Sequence, residues 1–225
     1  STRQFTAVPA KEYLARVEKQ IENSLEFLSQ HLPENSDTGL ETRVFQLDTI
    51  DQVLERAQEM ILNAKKQIIV DSFPKMLELI RPDLEKISSK KTKEKIHIVV
   101  NSYDGTPVKN CVMINKSAGP DAVKIWKDSW LNLVVDGEKY LLAVVKPDGS
   151  TIKHAVWTNS PYLSYVLYSG IASEMMFSAL IDELKANDMP EILVKALNKY
   201  SESIMGSSEQ TQQLPGFIKI MKSQS

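Results

Sequence analysis

The sequence predicts an α/β fold: a mixed β-sheet flanked by helices and preceded by a long amino-terminal helix. Three observations predict it. Strand and helix patterns alternate from Arg43 to Asn101, and a β-α-β-α-β succession builds a parallel or mixed sheet with helices on its faces. The stretch LNLVVDGEKYLLAVV, Leu131 to Val145, reads as a hairpin and adds antiparallel strands. A regular apolar stripe beginning at Leu14 marks the leading helix.

That leading helix is expected from about Pro9 to His31, with Pro9 suited to a first turn. Leu14, Val17, Ile21, Leu25, Leu28 and Leu32 recur at spacings of 3, 4, 4, 3 and 4, a stripe close to a heptad seam. The seam must be covered, either by the chain's own domain or by a second copy, and the residues favour neither. PENSDTG, Pro33 to Gly39, is a linker by composition. Arg43 to Leu47 reads as a short strand. Thr49 opens a helix to about Ala64, with Val53, Ala57, Met60, Ile61 and Ala64 on one face. Gln67 to Asp71 is an apolar strand. Pro74 to Ile87 is a second helix with Leu77, Ile80 and Leu84 facing inward, and Pro82 is expected to kink or split it. Lys95 to Asn101 is the next strand.

Asp104-Gly105-Thr106-Pro107 then turns the chain, and Val108 to Ile114 reads as a strand. Asp121 to Ser129 is ambiguous between a short helix and an extended segment. In the hairpin, Asp136-Gly137 favours a type I′ turn, whose two central residues both need positive φ. Pro147-Asp148-Gly149 is another turn signal. Ile152 to Trp157 forms a further strand. Asn159 or Ser160 then caps a helix that opens at Pro161 and runs to about Ala186. A last helix is expected from Pro190 to about Ser203. The organisation is a helix over residues 1–32, an α/β domain over 33–205 and a polar, flexible tail over 206–225.

Composition narrows the function. The chain has 225 residues, 42% of them hydrophobic, so a sizeable core can form. Its 27 basic and 29 acidic residues leave a net charge of −2, which argues against nucleic-acid binding by bulk electrostatics. The run KISSKKTKEK, Lys86 to Lys95, reads as a solvated helix end and loop. Cys111 is the single cysteine, which excludes an internal disulfide and any cysteine-based zinc site. Its apolar surroundings, KNCVMIN, suit a buried inert thiol. No uncharged run reaches the roughly 18–20 residues of a membrane span. No signal-peptide pattern precedes Phe5, so a cytoplasmic protein without a membrane partner is expected.

Catalytic signatures are sparse. The three histidines are His31, His97 and His154, and no two stand at i, i+4, so no metal site is expected. There is no Gly-x-Ser-x-Gly elbow and no Walker or dinucleotide glycine pattern, so no cofactor is implied. Asp71 and Asp136 sit at strand ends, and an acid/base pair stays open without support. The balance favours a binding or sensing domain over an enzyme.

Four segments carry a family resemblance: FTAVPAKEYL with its long helix, IDQVLERAQEMILNAKKQIIVDSF, LNLVVDGEKYLLAVV and AVWTNSPYLSYVL. In this order they cover most of residues 5 to 170, and the chain resembles the ligand-sensing domain of the TrmB-like transcriptional regulators. The resemblance implies a sensor of phospholipase-D-like fold. It also implies a connecting helix that dimerises, here through Leu14, Val17, Ile21, Leu25 and Leu28. DNA would be bound only through a winged helix absent from this chain, which starts close to where the connecting helix would begin. Several such regulators respond to sugars, so the resemblance implies a sugar as a candidate effector. Phospholipase-D-like enzymes need His-x-Lys, and each histidine here is followed by other residues: Leu-Pro, Ile-Val and Ala-Val. The fold is thus expected without its catalytic machinery, in a homodimer that binds a small polar effector such as a sugar.

In open α/β sheets ligands sit beyond the carboxyl ends of strands. Planar amides and carboxylates can take two sugar hydroxyls at once, while aromatic rings stack on the apolar sugar face. The candidate ligand residues are therefore Asp71, Ser72, Asn101, Asp136 and Asn159 for polar contacts, and Tyr103, Trp157 and Tyr162 for stacking. Each has a plainer reading: Trp157 as core, Asn159 as a helix cap, Asp136 as a turn residue. Two other functions stay open. One is a degenerate phospholipase-D-type hydrolase that would need His97 or His154. The other is a protein-interaction scaffold.

Overall fold

The computed structural model describes residues 9–31, 42–90, 95–115 and 119–186. The expected helix from Pro190 and the polar tail lie outside the described residues, as do Leu32 and the side chain of Leu28. Two compact units are distinguished, Ser1–Glu41 and Thr42–Ser225.

In the first unit, α1 runs Ala10–His31, close to the span expected from the stripe. Leu14, Ile21 and Leu25 are exposed on it, and Val17 is half-buried.

The second unit contains β1 (Val44–Gln46), α2 (Ile50–Leu62), β2 (Gln67–Ser72), α3 (Pro74–Ser88), β3 (His97–Ser102) and β4 (Val112–Asn115). It continues with α4 (Gly119–Ile125), β5 (Ser129–Val135), β6 (Lys139–Val145), β7 (Ile152–Thr158) and α5 (Pro161–Ala186). The strands form one seven-stranded sheet in the order β1-β7-β6-β5-β2-β3-β4. β2, β3 and β4 pair in parallel, and the remaining neighbours pair antiparallel. The mixed α/β sheet predicted from the alternating patterns is therefore the observed architecture.

Local chemistry explains the element ends. Thr49 Oγ1 accepts from the Gln52 backbone N–H at 3.2 Å, and the Gln52 side chain returns to the Thr49 N–H at 3.3 Å, closing a capping box at the start of α2. Asp136 and Gly137 have φ of 56° and 68°, and the Glu138 N–H donates to the Val135 carbonyl at 3.0 Å, the type I′ hairpin turn expected between β5 and β6. Ser160 Oγ accepts from the Leu163 N–H at 3.3 Å and opens α5.

Two expectations are corrected. α3 is not split at Pro82 but continues as one helix through it. The residue forfeits one ladder hydrogen bond, but Met76, Leu77 and Ile80 before it and Leu84 and Ile87 after it are all buried, so packing holds both halves in one helix. The strand expected from Val108 begins only at Val112. Asn110 adopts a left-handed φ of 58°, and the Cys111 N–H returns to the Val108 carbonyl, so the chain turns before it extends.

Register assigns the faces. Val70, Leu133, Leu141 and Trp157 occupy one row across the sheet, and the adjacent row holds Asn101, Asp71, Asn132, Leu142 and Val156. Side chains one residue apart point to opposite faces. The first row belongs to the main core, which Val53, Ala57, Met60 and Ile61 of α2 and Met76, Leu77, Ile80 and Leu84 of α3 complete. On the other face, Ile69, Val134 and Tyr140 pack with Met175, Ile171 and Ala172 of α5. The Asp71 row is polar at its centre and lies on this second face.

Candidate functional site

Asp71 ends the apolar run of β2 on the α5 face of the sheet. It is buried, only 4% exposed, yet its carboxylate is fully engaged. Oδ1 accepts from Asn101 Nδ2 at 2.7 Å and from the Tyr103 hydroxyl at 3.0 Å. Oδ2 accepts from Trp130 Nε1 at 3.2 Å and from Asn132 Nδ2 at 3.1 Å. Asn132 Oδ1 in turn accepts from the Tyr140 hydroxyl at 2.7 Å. The register explains the convergence: Asp71 pairs with Asn101 in parallel on one side and with Asn132 antiparallel on the other. Four hydrogen bonds of this kind fix the carboxylate in one orientation.

The carboxylate charge acts on its donors. Burial first, and then Asp71, push the Tyr103 hydroxyl far above the ordinary phenol range. The same two causes raise Tyr140. Both phenols therefore stay protonated donors across the physiological range.

An aromatic cluster surrounds the network. Trp130 lies 3.9 Å from Phe73 and 5.7 Å from Tyr103, centroid to centroid, with Tyr103 nearly perpendicular to it at 88°. Trp126 meets Trp130 edge-on at 5.6 Å and 81°. Trp126 comes from the end of α4, whose first residue explains its position. A Cβ on Gly119 would lie 2.5 Å from the Tyr103 carbonyl oxygen and 2.7 Å from its Cα, so only glycine lets α4 approach the end of β3 this closely.

These elements enclose a cleft of about 450 Å³ lined by Asp71, Tyr103, Trp126, Trp130, Asn132 and Glu174, with Ala122, Leu142 and Val144 as apolar floor. The volume suits a small ligand.

The candidate residues named from the sequence divide on this geometry. Asp71 and Tyr103 line the cleft, and Asn101 bonds directly to Asp71. Ser72 is next to them in sequence but points to the opposite face, where its hydroxyl donates to the carbonyls of Phe73 and Trp130. Asp136 lies at the far end of β2, about 13 Å of strand from Asp71. Its carboxylate accepts from the backbone N–H groups of Lys65, Lys66 and Gln67 at 2.8–2.9 Å. Trp157 stacks on Phe45 at 4.6 Å beneath the Arg56 guanidinium and packs against the main core. Asn159 Oδ1 accepts from the Arg43 N–H at 3.0 Å and secures the start of β1. Tyr162 is 78% exposed on α5 and does not line the cleft. Sequence reasoning missed Trp126, Trp130, Asn132, Tyr140 and Glu174. His97 and His154 are exposed and do not line the cleft. Among the described residues no group of three or more His, Cys, Asp and Glu is placed to hold a metal. Burial pushes the half-buried Cys111 thiol up to about 11, with Glu85 adding to it, which leaves it uncharged at neutral pH.

Comparison with known families decides the relationship. Residues 43–170 match the profile of the N-terminal subdomain of the effector-binding domain of the transcriptional regulator TrmB. The chain belongs to the TrmB family of transcriptional regulators. The match spans β1 to the first part of α5 and so includes most of the Asp71 cleft. A comparison with curated proteins finds no match. Among solved structures, the TrmB-family chain is similar to TrmBL2, an archaeal chromatin protein with a novel mode of DNA binding, at 17% identity and a TM-score of 0.43. That likeness covers 75% of this chain and 64% of TrmBL2, so the chain spans under two thirds of that relative. It is also similar to NucT from Helicobacter pylori, at 11% identity and a TM-score of 0.44, over 61% of this chain and 96% of NucT. Nuc from Salmonella typhimurium, a phospholipase D family member, is similar at 10% identity and a TM-score of 0.40, over 59% and 93%. No helix among the described residues is long and apolar enough to cross a membrane.

Proposed function

We propose that this chain is the sensing body of a TrmB-type regulator, in which the Asp71 cleft holds a small polar effector without transforming it. The observation that carries this reading is the cleft itself: a fixed carboxylate network and three aromatic rings at the carboxyl end of β2 and β3, in a chain of an effector-binding family. Ligands of open α/β sheets favour that end of the strands. A sugar is the effector class that the family resemblance suggests. Occupancy would pass to a second copy through α1, whose exposed Leu14, Ile21 and Leu25 suit a partner helix. The relative populations of two dimer arrangements would then shift with the ligand, and DNA would be contacted by a winged helix outside this chain.

A thermal-shift screen of sugars, sugar phosphates and nucleotides tests the reading. A true effector at a hundredfold excess over Kd stabilises by about 2.7 kcal/mol, and Trp126→Ala should reduce that shift. A ligand whose effect is untouched by Trp126→Ala and by Asp71→Asn binds elsewhere, and the cleft assignment then fails.

A further inference from the structure

We propose that the Asp71 cleft takes an organic cation, a small alkylammonium group seated between the carboxylates of Asp71 and Glu174 and enclosed by Tyr103, Trp126 and Trp130. This rests on the cleft being the effector site and narrows the chemistry of its guest.

Charge is the first argument. The described residues lining the cleft include two carboxylates and no lysine or arginine. Asp71 is buried, and all four of its hydrogen bonds come from neutral donors: two amides, a phenol and an indole. Four neutral donors spread that negative charge without cancelling it, so the potential in the cleft favours a cation over an anion. Phosphorylated guests meet repulsion in the same place.

The second argument is hydrogen-bonding capacity. Tyr103 and Trp130 have given their only donors to Asp71, and Asn132 gives one N–H to Asp71 while its Oδ1 accepts from Tyr140. A polyol is read by planar groups whose donors and acceptors face outward. Here those groups face one another, and the wall offers a guest negative potential and ring surface. Asn101 Oδ1 strengthens that potential. It is a buried acceptor reached by no donor among the described residues, on an amide bonded to Asp71.

Ring geometry is the third. Trp130 stands nearly perpendicular to both Tyr103 and Trp126, at 88° and 81°. Rings set at right angles about a small space form the box in which alkylammonium groups are held by cation–π attraction.

The test titrates the full chain with tetramethylammonium, choline and putrescine, and separately with glucose and glucose 6-phosphate, all at matched ionic strength. Tryptophan fluorescence and melting temperature are followed. Saturable changes with the ammonium probes and none with the sugars are expected. The three cations distinguish a quaternary headgroup from a primary diamine. Trp126→Ala should weaken the ammonium probes roughly 2- to 30-fold. Glu174→Gln, at an exposed position, should weaken them as well, and added salt should do the same. If glucose saturates the signal while the cations do not, and Glu174→Gln leaves that binding intact, the cleft remains an effector site and the cation proposal is overturned. If neither class moves the fluorescence at millimolar concentration, the cation proposal is likewise overturned, and the effector reading stands or falls on the wider thermal-shift screen.

Discussion

Asp71 concentrates four donors on two oxygens, two of them from the buried Asn101 and Tyr103. Removing the acceptor strands the donors, and a buried polar group without a partner costs about 1–3 kcal/mol. Asp71→Ala should therefore lower stability by about 3–5 kcal/mol in urea denaturation. A loss under about 1 kcal/mol would mean the network is not held together by this carboxylate. The same residue sets an alkaline limit. Burial and Asp71 raise Tyr103 and Tyr140 above the unfolded phenol value near 10. Above that pH the unfolded chain releases phenolic protons that the folded chain keeps, so it binds fewer protons and stability falls as pH rises. Below it the contribution is constant. Denaturation at pH 8, 10 and 11 should show a decline steepest in the upper interval, and Tyr140→Phe should lessen it, with Tyr103 keeping the remainder. A decline of unchanged slope in Tyr140→Phe would assign the alkaline loss to other groups.

At the scale of elements, α4 depends on one missing side chain. Gly119→Ala would drive a Cβ into the Tyr103 backbone, which cannot swing aside as a side-chain tip can, so a cost of about 1–3 kcal/mol is expected. The wall carrying Trp126 should shift with it, and fluorescence near Trp126 and Trp130 would report the change. An unaltered spectrum and melting temperature would show that α4 is not anchored there. Much of this architecture was legible because its signals are local. The capping box at Thr49, the turn at Asp136-Gly137 and the serine cap of α5 are each set within four residues. Asp71, Asn101 and Tyr103 were legible because each closes an apolar strand pattern. Their partners were not. That Asn132 faces Asp71 follows from a register between strands about sixty residues apart, and no local pattern fixes a long-range register. Trp157 shows the same limit from the other side: one step of pleat puts it on the core face. Trp126 lies in the segment whose helix could not be told from extended chain. The expected split at Pro82 rests on propensity alone, which tertiary packing overrides.

At the scale of the whole molecule, the apolar seam of α1 is the proposed route between copies. Ile21→Glu places a charge at the middle of that seam, where Ile21 is 55% exposed in the single chain. If the seam joins two copies, light scattering should show the mass falling toward that of one chain, with little change in the fold of the sensing unit. An unchanged mass would remove the seam from the dimer.

α5 has a consequence of another kind. The family match ends at residue 170, yet this helix runs on without interruption to Ala186. The residues that pack its later turns on the sheet, Ile171, Ala172 and Met175, and the cleft-lining Glu174 all come after that border. A fragment trimmed to the matched span would lose a stopper over an oily patch and one edge of the guest chamber in the same cut. Such a fragment should melt at a lower temperature than one extended through residue 186, and equal melting temperatures would show that these later turns do not brace the sheet. The helix is in this sense a shared beam, and whatever tugs on its far end also leans on the chamber wall.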